Sequence, residues 1–357
     1  MFKILDLYIG RTIFATSMMV LATFVGLSGI IKYIDQLRKV GQGSYDLLKA
    51  LYFVLLSVPR DIEMFFPMAA LLGALIGLGM LAASSELVVM QASGISKLQI
   101  GVSVLKTAVA LMILVTLLGE WGAPQAQKLA RDMRSFATSG GQLLSVRTGV
   151  WARDANDFIF IGKVDDKKMT GLNIWRFDSD KKLNEVIYAK QALFDDSKQL
   201  WQLSEVEVTQ MGAVEKITKH FQPHYSWETS LKPERLQVVA VLPEELSLSG
   251  LYDYVSYLKA SEQDASRYDL AFWRKVMQPI SIAVMMLLAL SFIFGPLRSV
   301  TMGARILSGV VAGFGFYITS QVFGPLSLVY GFPPVVGAGA PIVVFLAIAI
   351  ALLRRKL

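Results

Sequence analysis

Apolar residues gather into six long runs, at 13–31, 64–83, 98–118, 276–294, 306–329 and 335–353. Each approaches or exceeds the roughly 20 helical residues needed to cross a hydrocarbon layer about 30 Å thick. Their interruptions are mainly Gly, Pro, Ser and Thr, which spanning helices tolerate. Lys106 is the one charge inside a run. The pattern predicts six transmembrane helices, the first of them uncleaved because no small-residue processing site follows it. A shorter apolar stretch at 51–58 precedes Pro59, Arg60, Asp61 and Glu63, and reads as an interfacial helix leading into the second span.

Between the third and fourth runs the period changes. Residues 142–245 hold short segments rich in β-branched and aromatic residues, at 158–161, 172–177, 186–189 and 200–208. Asp/Asn/Lys/Gly clusters separate them, as expected of strands joined by turns. This predicts an antiparallel β-sandwich or jelly roll. Helical periodicity returns over 246–275. The fold class is therefore a polytopic α-helical membrane protein with an inserted all-β, jelly-roll-like domain. The divisions fall at 1–137 (helices one to three), 138–262 (the β domain with its connecting helices) and 263–357 (helices four to six).

Charge sharpens the division. Residues 138–262 carry 33 of the 63 charges, at net −3; the remaining residues carry 30, at net +10. The first unit is ordinary soluble protein and the second is not. With no Cys and two His, zinc-thiolate and iron–sulfur chemistry are excluded. The spacing of His220 and His224 is broken by Pro223 and finds no third ligand. No G-x-x-x-x-G-K-[ST] occurs, so the chain lacks a P-loop of its own.

The cations also orient the spans. Lys3, Arg11, Lys97, Arg298, Arg305, Arg354, Arg355 and Lys356 fall on one side if both termini are cytoplasmic, as the positive-inside rule requires. Residues 138–262 are then expected outside. Against that signal, the first outside loop carries Lys32, Arg38, Lys39, Lys49 and Arg60. Helical spacing puts Lys32, Asp35 and Lys39 on one face. Beyond the third span, Lys128, Arg131 and Arg134 recur at i, i+3 and i+6. Guanidinium forks suit phosphate bidentately. The two clusters suggest a site for an anionic substrate at the outer leaflet; snorkelling, or a solvated stalk below the β domain, is the plainer alternative.

The loop between spans two and three, 84–94, predicts a short cytoplasmic helix with Ser at its start, Glu86 at the positive dipole end and Gly94 as its stop. Leu87, Val88 and Met90 are too apolar for a solvated loop. Either the helix rests on the membrane, or its apolar face, Leu87 and Met90, enters a groove on a cytoplasmic motor subunit.

Several segments carry a resemblance. They are Leu27-Ser28-Gly29-Ile30-Ile31-Lys32, Phe66-Pro67-Met68-Ala69-Ala70-Leu71-Leu72-Gly73-Ala74-Leu75, Ser85-Glu86-Leu87-Val88-Val89-Met90-Gln91-Ala92-Ser93-Gly94, Ala289-Leu290-Ser291-Phe292-Ile293-Phe294-Gly295-Pro296-Leu297-Arg298-Ser299-Val300 and Phe323-Gly324-Pro325-Leu326. With the three-span, β-domain, three-span order, the chain resembles the LptF/LptG permeases of the lipopolysaccharide export ABC transporter. The resemblance spans the chain and is weakest through the β domain.

It implies a multi-pass subunit of the bacterial inner membrane, with a periplasmic β domain and cytoplasmic termini. It implies a heterodimer with an LptF-like permease, a bound LptB-like ATPase dimer and an LptC-like membrane-anchored β protein. The complex would extract lipopolysaccharide from the outer leaflet and pass it to a periplasmic bridge. The chain itself would be no enzyme and hold no cofactor, ATP and Mg being bound by the ATPase. Lys32, Arg38, Lys39, Arg131 and Arg134 fall where the family contacts lipid A phosphates, with Arg38-Lys39 standing where a lysine pair is common. Glu86, with Leu87 and Met90, falls in the family's coupling helix. A permease for another lipid or for lipoproteins, an enzyme acting on lipid headgroups, and a scaffold for a β bridge are the other readings of the sequence.

Overall fold

The computed structural model describes residues 4–138, 150–154, 156–165, 167–178, 180, 182–211, 217–229, 231, 233, 242–260, 263–294 and 300–354. The cations Lys3, Arg298, Arg355 and Lys356, residues 142–149 of the expected β domain, and positions 295–299 of the family segment lie outside them.

Six helices are long and apolar enough to cross a membrane. The first half contains α1 (Ile4–Leu37), α2 (Leu47–Ala83), the short α3 (Glu86–Ala92) and α4 (Lys97–Leu117). A π-helical turn, Leu118–Gly122, joins α4 to α5 (Ala123–Thr138), so the third span continues as a stalk. After the β domain come α6 (Leu248–Ala260), α7 (Ser266–Phe294), α8 (Met302–Val329) and α9 (Pro334–Arg354).

The expected interfacial helix at 51–58 is corrected: it is the start of α2, which runs unbroken through Pro59 and Pro67. Proline removes a backbone donor and normally breaks a helix. Here Ala50, Phe53, Val54 and Ser57 bury a continuous face, and the Asp46 carboxylate caps the helix by accepting from the Lys49 N–H at 2.8 Å. Packing outweighs the local break.

Helix α2 is the axis of the bundle and packs on α1, α5, α7 and α8. Its crossing with α1 is close because Gly73 has no side chain: a Cβ there would collide with Ser17. Thr16 of α1 donates its hydroxyl to the Gly73 carbonyl at 2.7 Å. Small residues at such crossings let membrane helices approach backbone to backbone. By contrast α1, α8 and α9 leave long apolar faces uncovered, with Met19, Ile30, Leu307, Val311 and Val343 exposed. Lipid or a second membrane subunit is the environment such faces need.

The inserted domain is all-β, as expected. Strands β1 (Val150–Asp154), β2 (Asp157–Asp165), β3 (Lys168–Phe177), β4 (Leu183–Asp195), β5 (Leu200–Met211) and β6 (Ile217–Trp227) form one antiparallel sheet in sequential order. The four segments singled out in the sequence fall in β2 to β5. Regular pairing is interrupted along one line through Gly162, Gly171, Lys190, Glu205 and Pro223. Gly171 and Glu205 take left-handed backbone angles there, φ 67° and 54°. Such irregularities bend strands and shift which residues face inward. On β5 the buried positions change from Trp201 and Leu203 to Val206 and Val208 across the line.

The buried face of the sheet closes on α6, with Tyr254, Val255 and Leu258 joining Ile159, Ile174, Ile187 and Trp201 in one core. The Trp201 indole donates to the Leu231 carbonyl at 2.7 Å. A soluble fragment ending at residue 245 lacks α6 and is expected to unfold with low cooperativity, whereas one extended to residue 265 should unfold in a single transition. Circular dichroism during thermal melting of the two fragments checks this; equal cooperativity would show that α6 is dispensable.

Candidate anion-binding rim and coupling helix

The end of the bundle nearer the β domain carries the expected cations, but in two different states. Lys32, on the last turns of α1, lies 2.5 Å from the Asp61 carboxylate of α2. Asp61 is buried, and Ser28 donates to its second oxygen at 3.1 Å. The pair sits in a cavity of about 440 Å³ whose apolar wall includes Phe24, Leu27, Ile31 and Phe65. Arg131 is likewise engaged: it lies 2.7 Å from Glu245, which also holds Arg60 at 2.6 Å. Three charges thus lock α2, α5 and the segment returning from the β domain. A buried carboxylate between two guanidiniums is stable only when hydrogen-bonded as well, and Gln127 donates to it at 3.3 Å.

Arg38, Lys39 and Arg134 enter none of the ion pairs among the described residues. Arg38 is exposed and Lys39 half-buried in the turn after α1. Burial first, and the nearby Arg134 charge second, push the Lys39 ammonium below its ordinary pKa, with Asp35 opposing. The Arg134 guanidinium lies 4.5 Å over the Phe53 ring, an arrangement that leaves its edge donors available. Lys39 and Arg134 are thus two half-buried cations near each other, neither in an ion pair among the described residues. Lys128 is exposed on α5.

At the other end of the bundle, α3 begins after Ser85, whose φ is 62° and whose side chain makes no cap. Its stop is the expected Gly94, at φ 91°. The Ile95 N–H reaches the Met90 carbonyl and the Gly94 N–H that of Gln91, the Schellman closure. The expected docking face, Leu87 with Met90, is corrected. Leu87 is buried in the chain's own membrane core and Met90 packs beside it; Val88 and Val89 face outward, 56% and 66% exposed. A seven-residue helix held at both ends must point one apolar side home, and here that side packs toward α2 and the membrane core.

The Glu86 carboxylate is held from two directions. Tyr8 of α1 donates its hydroxyl at 2.6 Å and Ser84 donates at 2.8 Å. These bonds hold the Glu86 carboxyl below the usual carboxylate range. Below it on α1, buried Asp6 lies 2.6 Å from Lys106 and accepts from Ser103 at 2.5 Å, which accounts for the one charge inside an apolar run. Tyr8→Phe keeps the ring and removes the hydroxyl, so it should leave assembly intact while reducing transport per ATP hydrolysed. Parallel hydrolysis and transport assays check this, an unchanged ratio speaking against the link.

Sequence reasoning missed Tyr8, Ser28, Glu245 and the pairing of Asp61. Their partners lie 29 to 185 residues away, and no local spacing announces them. Arg60, Asp61 and Glu63 are neighbours in sequence but do not pair with one another among the described residues. Each finds a distant partner instead, Glu63 meeting Lys275 at 2.9 Å.

Comparison with known proteins accords with this arrangement. The family model described as "Lipopolysaccharide export system permease LptF/LptG" matches residues 7–355. The protein "Lipopolysaccharide export system permease protein LptG" of Escherichia coli (strain K12) is 53% identical over 356 residues, covering 99% of both chains. The protein of the same name from Haemophilus influenzae (strain ATCC 51907 / DSM 11121 / KW20 / Rd) is 48% identical over 359 residues, covering 100% of this chain and 99% of its own. From the membrane helices through the inserted sheet to the last span, the chain belongs to the LptF/LptG family of lipopolysaccharide export system permeases.

Proposed function

We propose that the chain is the permease subunit of a lipopolysaccharide exporter in a bacterial inner membrane, with its β domain in the periplasm and its termini in the cytoplasm. The names of its relatives support the substrate. One observation carries the site: Arg38, Lys39 and Arg134, which enter none of the ion pairs among the described residues, lie at the same end of α1 and α5 as Lys32, which lines an apolar cavity. An amphiphile with phosphates on an acyl-chain body needs both. Extraction from a leaflet exposes apolar surface at about 0.8 kcal/mol per CH₂, so it must be driven.

The chain has no P-loop, and the drive comes from a separate ATPase dimer of the LptB kind, received at Val88, Val89 and Glu86. An LptF-like permease covers the exposed faces of α1, α8 and α9, and an LptC-like anchored β protein receives the lipid. In the assembled complex, photocrosslinkers at positions 38 and 39 should capture lipopolysaccharide, and those at 88 and 89 the ATPase. Capture of lipid at 88 and 89 with none at 38 and 39 would reverse the assignment.

A further inference from the structure

Lys32 lines an apolar cavity of about 440 Å³ while already holding a counter-ion. Asp61 is 4% exposed in the cavity wall, and Lys32 about one-third exposed at its mouth. The carboxylate is fixed by α2 on one side and by the Ser28 hydroxyl on the other. Resting on the reading of this rim as a lipid phosphate site, we propose that Asp61 is an exchangeable counter-ion: the incoming phosphate takes Lys32 from it, and Asp61 recaptures Lys32 when the lipid leaves.

The chemistry follows from three features. An ammonium has three donors on a flexible stem, so Lys32 can swing from the buried carboxylate to a phosphate at the mouth. A phosphate there also meets the Asp61 charge behind Lys32, and like charges at short range repel. Asp61 therefore weakens lipid binding. When Lys32 leaves, the Ser28 hydroxyl still donates to Asp61, so the buried carboxylate is not stranded. A transporter gains from this, because a site that held phosphate without a competitor would release its cargo slowly. The empty site, in turn, is never left as an unpaired ammonium against an apolar wall.

The test uses the full permease complex and purified lipopolysaccharide, with wild type, Asp61→Asn, Lys32→Gln and the double variant. Asp61→Asn should bind lipid about three- to tenfold more tightly, the range of a partly screened charge pair, and release it more slowly on ATP addition. The gain should vanish with lipid stripped of its phosphates, and in the Lys32→Gln background only the part owed to direct repulsion by Asp61 should remain. Unchanged or weaker binding by Asp61→Asn, alongside loss in Lys32→Gln, would overturn the exchange and leave the rim assignment standing. No loss in Lys32→Gln would instead remove the phosphate site itself. Should Asp61→Asn fail to assemble, Ser28→Ala provides the second arm. Without its fallback partner Asp61 should grip Lys32 harder and weaken lipid binding about twofold; unchanged binding would contradict the proposal.

Discussion

Glu86→Lys is expected to abolish lipopolysaccharide release while the permease still folds. The substitution removes the acceptor for the Tyr8 and Ser84 hydroxyls and places an ammonium where a carboxylate stood. The helix itself survives, because its closure at Gly94 and the seat of Leu87 in the core do not involve Glu86. What is lost is the joint between α3 and α1. If Glu86 also pairs with a cation of the ATPase, that pair is lost as well, and like-charge repulsion adds to the loss. Co-purification measures assembly, hydrolysis measures the motor, and release measures coupling. Lost release with the fold retained is the expected pattern. Normal release would leave α3 as a helix lying on the membrane.

Neutralising the three uncommitted cations, Arg38→Gln with Lys39→Gln and Arg134→Gln, is expected to weaken lipopolysaccharide binding by orders of magnitude without destabilising the chain. Each charge-assisted contact to a phosphate contributes about 1.5–3 kcal/mol when desolvated. None of the three holds a carboxylate among the described residues, so no buried acid is orphaned, unlike a change at Lys32 or Arg131. Removing the repulsion between Lys39 and Arg134 should offset part of the packing that Arg134 makes on Phe53. Thermal unfolding should shift little and lipid crosslinking should fall steeply. Equal crosslinking in the triple variant would move the phosphate site elsewhere.

The spans, the β insertion and the cation clusters were legible in the sequence because each is a local pattern: run length, period and spacing. Gly94 was legible as a helix stop for the same reason. The failures share a cause. Residues 51–58 fold into α2 because α1 and α5 cover them, and nothing within the segment records that cover. Leu87 and Val88 are equally apolar neighbours, and only the packing of α3 against α2 and the core decides which turns inward. Arg131 and Arg134 share a helical face, yet Glu245, 114 residues after Arg131, occupies one and not the other. The β alternation blurs in the sequence because the line of irregular pairings through Gly171 and Glu205 flips the inward register midway along β3, β4 and β5.

The central claim is that a lipid with phosphates on an apolar body binds at the end of the bundle that carries Arg38, Lys39, Arg134 and the cavity lined by Lys32. The most direct test is a native mass spectrum of the purified complex before ATP is added, taken for wild type and for the Arg38, Lys39 and Arg134 triple variant. The account predicts lipopolysaccharide masses on the wild type that are depleted in the variant, at unchanged subunit composition. Ordinary phospholipid alone on the wild type, or lipopolysaccharide retained equally by both, would contradict it.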